Sequence, residues 1–364
     1  MSSASSDQTA GGQTASPGAA VRLSVVIVTY NEREAIARTI PALVAQLELG
    51  DELIVSDNAS TDGTTELVAE IAPAARIVQN GGNIGFAAAC NSGAAAAGGE
   101  LLLLLNPDAM PAPGFVEAIK RPAADGSGWA AWMGLMTADG GATLNCAGGE
   151  MHFTGLAWAG LAGAPVSAAP QDRREIPWVS GGCFAIPLAS WRRLGGFPPE
   201  FFIYQEDVDL SMRLRLEGGR LGLEPAAVVD HDYEFMKNAE KWRRLERNRW
   251  AMIIRTYPPA LLVAVAPALI ATELALIFVA AAGGWLPKKV EAWGDTLKAL
   301  PRLLGERRRI QAGRRADAGD LAAWMTPALS SAYLGRAGAL VPLRWALAAY
   351  WRLATRFLAV GAKS

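Results

Sequence analysis

Apolar and polar positions along the first third of the chain fall into alternating blocks. The run LSVVIVTYN (23–31) is apolar until its polar end and predicts a buried strand, and REAIARTIPALVAQL (33–47) repeats apolar residues at helical spacing. The same pair recurs. ELIVSDN (52–58) reads as a second strand and TTELVAEIA (64–72) as a second helix; ARIVQN (75–80) reads as a third strand and GFAAACNSGAAAAG (85–98) as a third helix. ELLLLLNPDAM (100–110) is apolar enough to be a central strand. This alternation predicts βαβ units and a largely parallel sheet, with the polar strand ends Thr29 to Glu32, Asp57 to Asn58 and Asn106 to Asp108 converging on one crevice.

Past Pro111 the alternation breaks into shorter pieces. They include WVSGGCFAIP (178–187), the loop GGFPPEFFIYQ (195–205) and a helix from about Glu206 to Glu217. Residues 259–282 are almost continuously apolar and interrupted only by Pro267, Thr272 and Glu273. Such a helix is long enough for a hydrocarbon core of about 30 Å. A central carboxylate costs roughly 2.5 kcal/mol or more in insertion, so an in-plane or hairpin arrangement is equally open. The later segments 298–315 and 343–360 mix Arg with Leu, Trp and Tyr and read as interfacial amphipathic helices, the alternative being a helical dimerisation subdomain.

Composition sharpens this division. The 364 residues are 51% hydrophobic and 19% charged, which excludes a disordered chain. The formal net charge of −1 hides an acidic body and a basic tail: residues 283–364 carry 14 Lys and Arg against 5 Asp and Glu. Because those basic residues are interleaved with Leu, Ala and Trp, they point to a membrane surface rather than to nucleic acid. Three scattered cysteines, Cys90, Cys146 and Cys183, indicate neither a disulfide framework nor a zinc cluster and fit a reducing compartment. The small, polar residues 1–20 lack a basic or apolar signal region and read as a disordered tail on a cytoplasmic body. Three regions are therefore expected: the tail 1–20, a catalytic-sized domain 21–256, and a hydrophobic, basic helical region 257–364.

The ordered motifs VVIVTYNE, VSDNASTDGT, QNGGNIGFAAACNSG, LLLLNPDA and GGFPPEFFIYQEDVDLSMRLRLEGGRLG, followed by His231, carry a specific likeness. Over residues 22 to 255 the chain resembles the family 2 glycosyltransferases of the GT-A fold, most closely their bacterial rhamnosyltransferase-like branch. The resemblance implies an α/β, Rossmann-like nucleotide-diphospho-sugar domain with a C-terminal helical membrane-associated region.

It also implies roles for individual residues. Asp57 would accept the imide N–H of uracil or thymine; the alternative is an Asx turn of Asp57 and Asn58 before a helix capped by Ser60, Thr61 and Asp62, and the two roles can coexist. Thr29 and Glu32, with Tyr30 and Asn31 on the same strand end, would face the nucleoside. Asn83 and Gly85 lie in a Gly-rich turn where backbone can approach ribose or phosphate. Asn106, Pro107 and Asp108 occupy the place of the family's D-x-D metal motif, with Asn for the first Asp; Asp108 would bind a divalent cation (Mg2+ or Mn2+) and Asn106 would contact ribose or diphosphate. His231 is the second expected metal ligand. Glu206 and Asp207 begin a helix, where adjacent carboxylates are expected to point apart; Asp207 would be the general base and Glu206 would position the acceptor. Asp209 and Arg213 read as a surface ion pair. Gly181 and Gly182 would bring backbone close to the donor sugar; of Arg243, Arg244, Arg247 and Arg249, which could clamp diphosphate or face lipid headgroups, Arg247 or Arg249 would reach the site; Cys183 and His152 are expected to be structural.

The expected activity is an inverting sugar transfer at the cytoplasmic face of the bacterial inner membrane, from a dTDP- or UDP-sugar to a lipid-linked glycan acceptor. L-rhamnose from dTDP-L-rhamnose ranks first, ahead of galactofuranose or an N-acetylhexosamine. A sugar-nucleotide pyrophosphorylase would need a Gly-rich basic loop after the first strand, which VVIVTYNE lacks. A non-catalytic nucleotide-sugar-binding scaffold is the rival outside enzymology.

Overall fold

The computed structural model describes residues 21–231, 240–330 and 340–361. The tail expected at 1–20 lies outside the described residues. Four strands and three helices build the N-terminal half: β1 (Leu23–Thr29), α1 (Arg33–Val44), β2 (Glu52–Asp57), α2 (Thr64–Ile71), β3 (Arg76–Gln79), α3 (Phe86–Ala95) and β4 (Leu101–Leu105). Every residue of β1 and β4 is buried, as a strand covered on both faces requires.

The second half runs β5 (Ala109–Pro111), α4 (Phe115–Ala124), β6 (Trp129–Ala138), β7 (Thr143–Cys146), β8 (Gly149–Met151), β9 (Ala157–Ala159), β10 (Arg174–Glu175), β11 (Cys183–Pro187), α5 (Leu188–Leu194), α6 (Glu206–Leu216) and β12 (Arg220–His231). Ten strands form one sheet with main order β10-β12-β6-β11-β4-β1-β2-β3, β5 pairing with β12 and β7 with β6. The expected parallel pairing holds from β3 to β4, and β4 is central. Beyond it the sheet is mixed, because β11 enters antiparallel to both β4 and β6. That reversal returns the chain beside the end of β4, so that Gly182 lies next to Asn106: the Asn106 N–H donates to the Gly182 carbonyl at 2.9 Å.

The C-terminal helices are α7 (Lys241–Thr256), α8 (Pro259–Ala282), α9 (Leu286–Ala312), α10 (Ala318–Ala322) and α11 (Val341–Gly361). They share a core with α6: Val208 and Met212 pack among Met252, Tyr257, Leu261, Val265 and Trp351. The boundary expected at 256/257 therefore runs through a packed core rather than a linker. Among the described residues one helix, α8, is long and apolar enough to cross a membrane, yet it also rests on α9, α10 and α11.

A buried ionic cluster ties α8 in place. Glu273 pairs with Arg249 of α7 and with Lys289 of α9 at 3.0 Å, and accepts the Trp293 indole N–H at 3.0 Å. Glu246 completes the set, at 3.0 Å from Arg249 and 2.5 Å from Lys289. Two cations against two carboxylates leave no net charge in the interior, the condition under which buried charges persist. Asp209 is likewise interior, correcting the surface reading: it bonds Arg213 at 2.7 Å and Arg255 at 2.8 Å with no solvent exposure.

Candidate active site

The parallel register sets Thr29 opposite Asp57 at adjacent strand ends. The Thr29 hydroxyl donates to Asp57 Oδ1 at 2.9 Å, the Ser60 hydroxyl to the same oxygen at 2.5 Å, and the Ser60 N–H to Oδ2 at 3.0 Å. The Asx turn is thus formed, with the carboxylate buried beneath it. Asn31 takes a left-handed φ of 58° and ties the two strand ends together, donating its N–H to Ser60 and accepting the Thr61 N–H on Oδ1. The Glu32 N–H donates to Thr64 Oγ1 at 3.1 Å, and Tyr30 is exposed beside it.

Asn83 Oδ1 accepts the Gly85 N–H at 3.1 Å. Gly85 has φ +87°, and a Cβ there would sit 2.6 Å from the Phe202 ring. Glycine is needed for both reasons. The loop carrying Phe202 is thereby seated on the start of α3, reinforced by the Ala87 N–H donating to the Phe202 carbonyl.

That loop is strained and then pinned. Phe202, Tyr204 and Gln205 all have positive φ, between 65° and 75°, a costly backbone for residues with side chains. The Asn248 amide donates to the carbonyls of Phe201, Ile203 and Tyr204 at 2.9, 3.1 and 2.7 Å. Arg247 donates to the carbonyls of Glu200 and Phe201 at 2.8 and 3.0 Å. Arg247 is therefore spent on the loop and does not line the cavity. Asn248 was missed in the sequence, where a lone Asn among arginines carries no signal of three distant carbonyls.

The pinned loop delivers α6 with Glu206 and Asp207 at its first turn. Both line a cavity of about 400 Å³, joined there by Asn106, Gly181, Gly182 and His231. The expectation that one acid turns away is corrected: at the first helical turn both reach the same wall. Asp207 Oδ2 accepts the Gly181 N–H at 2.9 Å and Oδ1 the Val208 N–H at 2.8 Å. Burial pushes the Asp207 carboxyl up, against those two N–H groups. Glu206 is buried, its Oε2 has no hydrogen-bond partner among the described residues, and burial together with the Asp207 charge pushes it well above the usual carboxylate range. Both carboxyls are thus held above their usual range by burial, and the neighbouring Asp207 charge raises Glu206 further.

On the opposite strand ends, Asp108 Oδ1 lies 3.0 Å from His231 Nε2, and Asn106 Nδ2 lies 3.2 Å from the same nitrogen. The antiparallel β5–β12 register, His231 opposite Ala109, brings them together. One carboxylate oxygen and one imidazole nitrogen form a donor set that suits a divalent cation. Their 3.0 Å separation matches the edge of an octahedral shell with bonds of about 2.1 Å. No group of three or more His, Cys, Asp or Glu side chains stands ready for a metal among the described residues. Thr29 to Glu32, Asp57, Asn83, Gly85 and Asp108 do not line this cavity, whereas Phe86, next to Gly85, does.

Two further residues are structural, as expected. Cys183 is buried and its thiol is pushed up to about 12 by that burial. His152 is buried against Phe153, bonds Thr154 through Nδ1 at 2.7 Å, and is pushed down to about 4 by burial.

Residues 24–143 match the family model described as Glycosyl transferase family 2. Over that segment, about a third of the chain, the sequence has the pattern of a family 2 glycosyltransferase. A Mycobacterium tuberculosis protein named N-acetylglucosaminyl-diphospho-decaprenol L-rhamnosyltransferase is 28% identical to this transferase over 236 residues, covering 57% of the chain and 75% of that protein. Rhamnosyltransferase WbbL of Escherichia coli strain K12 is 32% identical over 72 residues, covering 18% of the chain and 27% of that protein. Among solved structures, GalNAc-T7 with UDP, GalNAc and Mn2+ superimposes with a TM-score of 0.56 at 18% identity, covering 68% of this chain and 51% of that one. That likeness establishes a GT-A fold for the transferase.

Proposed function

We propose that this transferase moves L-rhamnose, with inversion, from dTDP-L-rhamnose to a lipid-linked glycan acceptor at the cytoplasmic face of a membrane, in cell-surface polysaccharide synthesis. The observation that carries the reading is the placement of Asp207. Its carboxylate is held by two backbone N–H groups in the wall of a cavity that also contains His231, the partner of Asp108. Support for the sugar and the lipid-linked acceptor comes from the name of the mycobacterial relative.

In this reading Thr29, Tyr30, Asn31, Glu32 and Asp57 hold the nucleoside, and Asn83, Gly85 and Asn106 line the way to the diphosphate. Gly181 and Gly182 let the donor sugar approach backbone. An acceptor hydroxyl gives its proton to Asp207 as its oxygen attacks the anomeric carbon, and the bond from that carbon to the diphosphate breaks on the opposite face. Glu206, its carboxyl raised well above the usual range, is a hydrogen-bond donor for the acceptor. Asp108 and His231 would hold a divalent cation, Mg2+ or Mn2+, which when bound offsets the charge gathering on the departing diphosphate.

The membrane contact runs through the C-terminal helices. α8, α9 and α11 expose large apolar residues such as Phe278, Leu297, Leu304, Trp345, Leu353 and Phe357. Exposed arginines, including Arg308, Arg344, Arg352 and Arg356, accompany them on α9 and α11 and suit anionic headgroups.

The test is dTDP release by the purified protein, given dTDP-L-rhamnose or a panel of other dTDP- and UDP-sugars, with N-acetylglucosaminyl-diphospho-decaprenol and Mg2+ or Mn2+. Release that needs the acceptor and dTDP-L-rhamnose supports the reading. Release from a UDP-sugar alone would reassign the donor, and silence across the panel despite measured nucleotide binding would favour a scaffold.

A further inference from the structure

The cavity that holds Asp207 is also lined by apolar residues of the C-terminal helices, which the transfer step leaves unused. They are Leu276 and Val279 of α8, Trp285 just beyond it, and Trp242 and Leu245 of α7. Trp242 and Trp285 stack with ring centroids 4.7 Å apart and planes 14° apart. The cavity lining thus combines the carboxylates of Glu206, Asp207 and Glu246 and the Arg249 cation with an aromatic and aliphatic set from α7, α8 and Trp285.

The apolar set is open to the outside along α8. Val279 lines the cavity while remaining 55% exposed, and it adjoins Phe278, which is 75% exposed. Leu274, Ile270 and Val263 continue the exposed surface at spacings of four and seven residues, which makes one stripe on the helix. Glu273 lies on the docked side of α8, tied to Arg249, Lys289 and Trp293. A bilayer-spanning α8 would drag that charged, protein-packed face through hydrocarbon. An α8 lying along the membrane surface keeps Glu273 on its partners and turns only the apolar stripe to the acyl chains.

We propose that the C-terminal end of α8, with Trp242, Leu245 and Trp285, is a subsite for the lipid chain of the acceptor. The chain leaves the bilayer over Phe278 and Val279 and lies against the tryptophan stack, so that the attached sugar meets Asp207. This inference rests on the lipid-linked acceptor reading above. It assigns to α8 a part in substrate selection besides membrane attachment.

The experiment compares kcat/KM for N-acetylglucosaminyl-diphospho-decaprenol with that for the same head group on a single isoprene unit, both in detergent micelles so that membrane binding does not enter. The full chain should be preferred at least tenfold by the native protein. Val279→Glu, a substitution at an exposed position, should bring that ratio close to one by lowering the decaprenyl value, and Trp285→Ala should act in the same direction. Leu49→Glu, at a fully exposed residue in the loop after α1, should keep the native ratio. A native enzyme indifferent to chain length, or a Val279→Glu variant that lowers both values equally, overturns the subsite while leaving the transfer reading standing. Transfer to neither acceptor overturns the acceptor reading, and the subsite with it.

Discussion

Asp207 accepts the backbone N–H of Gly181 at 2.9 Å, a contact between the first turn of α6 and the residues just before β11. It joins the two elements that enclose the cavity. A carboxylate held this way stays aimed without needing a side-chain cation, which would lower its basicity. Replacing Asp207 by Asn should leave donor binding within about twofold and cut kcat by about 10²- to 10⁴-fold, the range for loss of a general base. Because burial holds the Asp207 carboxyl above the usual aspartate range, kcat/KM of the native enzyme should fall as pH drops through that raised value. Steady-state rates across pH check both.

Glu206 should be a pH-dependent burden on stability. Its folded-state pKa is raised well above the ordinary value, so its contribution is intact at low pH and is lost as pH rises through the raised pKa. Glu206→Gln should therefore match the native melting temperature in acid and exceed it at pH 8. Each unit of upward shift contributes about 1.4 kcal/mol, or about 2 °C for a chain of 364 residues. Thermal unfolding at several pH values decides it, and a gap that is constant with pH would contradict the account.

Asn248 should act on catalysis through the loop it pins. Asn248→Ala strands three carbonyls that hold Phe202, Tyr204 and Gln205 in left-handed backbone. The expected cost is about 1 to 3 kcal/mol, set by groups left unsatisfied. At a temperature where the variant stays folded, kcat should fall tenfold or more, since displacement of about 1 Å can cost about 10²-fold. The donor KM should stay within about twofold, because the nucleoside-side residues belong to other strand ends. Equal loss in kcat and donor affinity would instead indicate general unfolding.

Glu273 should be worth more to the fold than its place in an apolar helix suggests. Glu273→Ala leaves Arg249 and Lys289 with Glu246 as their one remaining buried carboxylate among the described residues. Breaking such a cluster typically costs about 3 to 5 kcal/mol. Urea unfolding of the variant in detergent measures this, and a loss below about 1 kcal/mol would mean that the cluster contributes little.

Much of the site was legible because its residues sit at strand and helix ends marked by local pattern. The apolar run of β4 followed by Asn106-Pro107-Asp108, and the Gly-rich turn before α3, announce themselves in a few residues. His231 required the resemblance, since a lone histidine after an apolar strand says nothing of an aspartate 123 positions earlier. The fate of Arg247 and the role of Asn248 could not be read. Both depend on the path of residues 200–204, which is set by backbone strain and packing against Gly85 rather than by any periodicity. Asp209 and Arg213 have the spacing of a surface pair, and only the arrival of Arg255 from α7 shows that they are interior.

The sequence by itself determined the alternating α/β half, the polar strand ends, the identities of the acids and the histidine, and the apolar and basic character of the C-terminal region. These follow from local hydrophobic spacing and from residue chemistry, which act over a few positions. The tertiary structure alone decided that β11 runs antiparallel beside β4, that Glu206 and Asp207 share one wall, and that Glu273 is neutralised by α7 and α9 while α8 closes the cavity. Those outcomes depend on which distant segments compete for the same buried volume and the same unpaired charge.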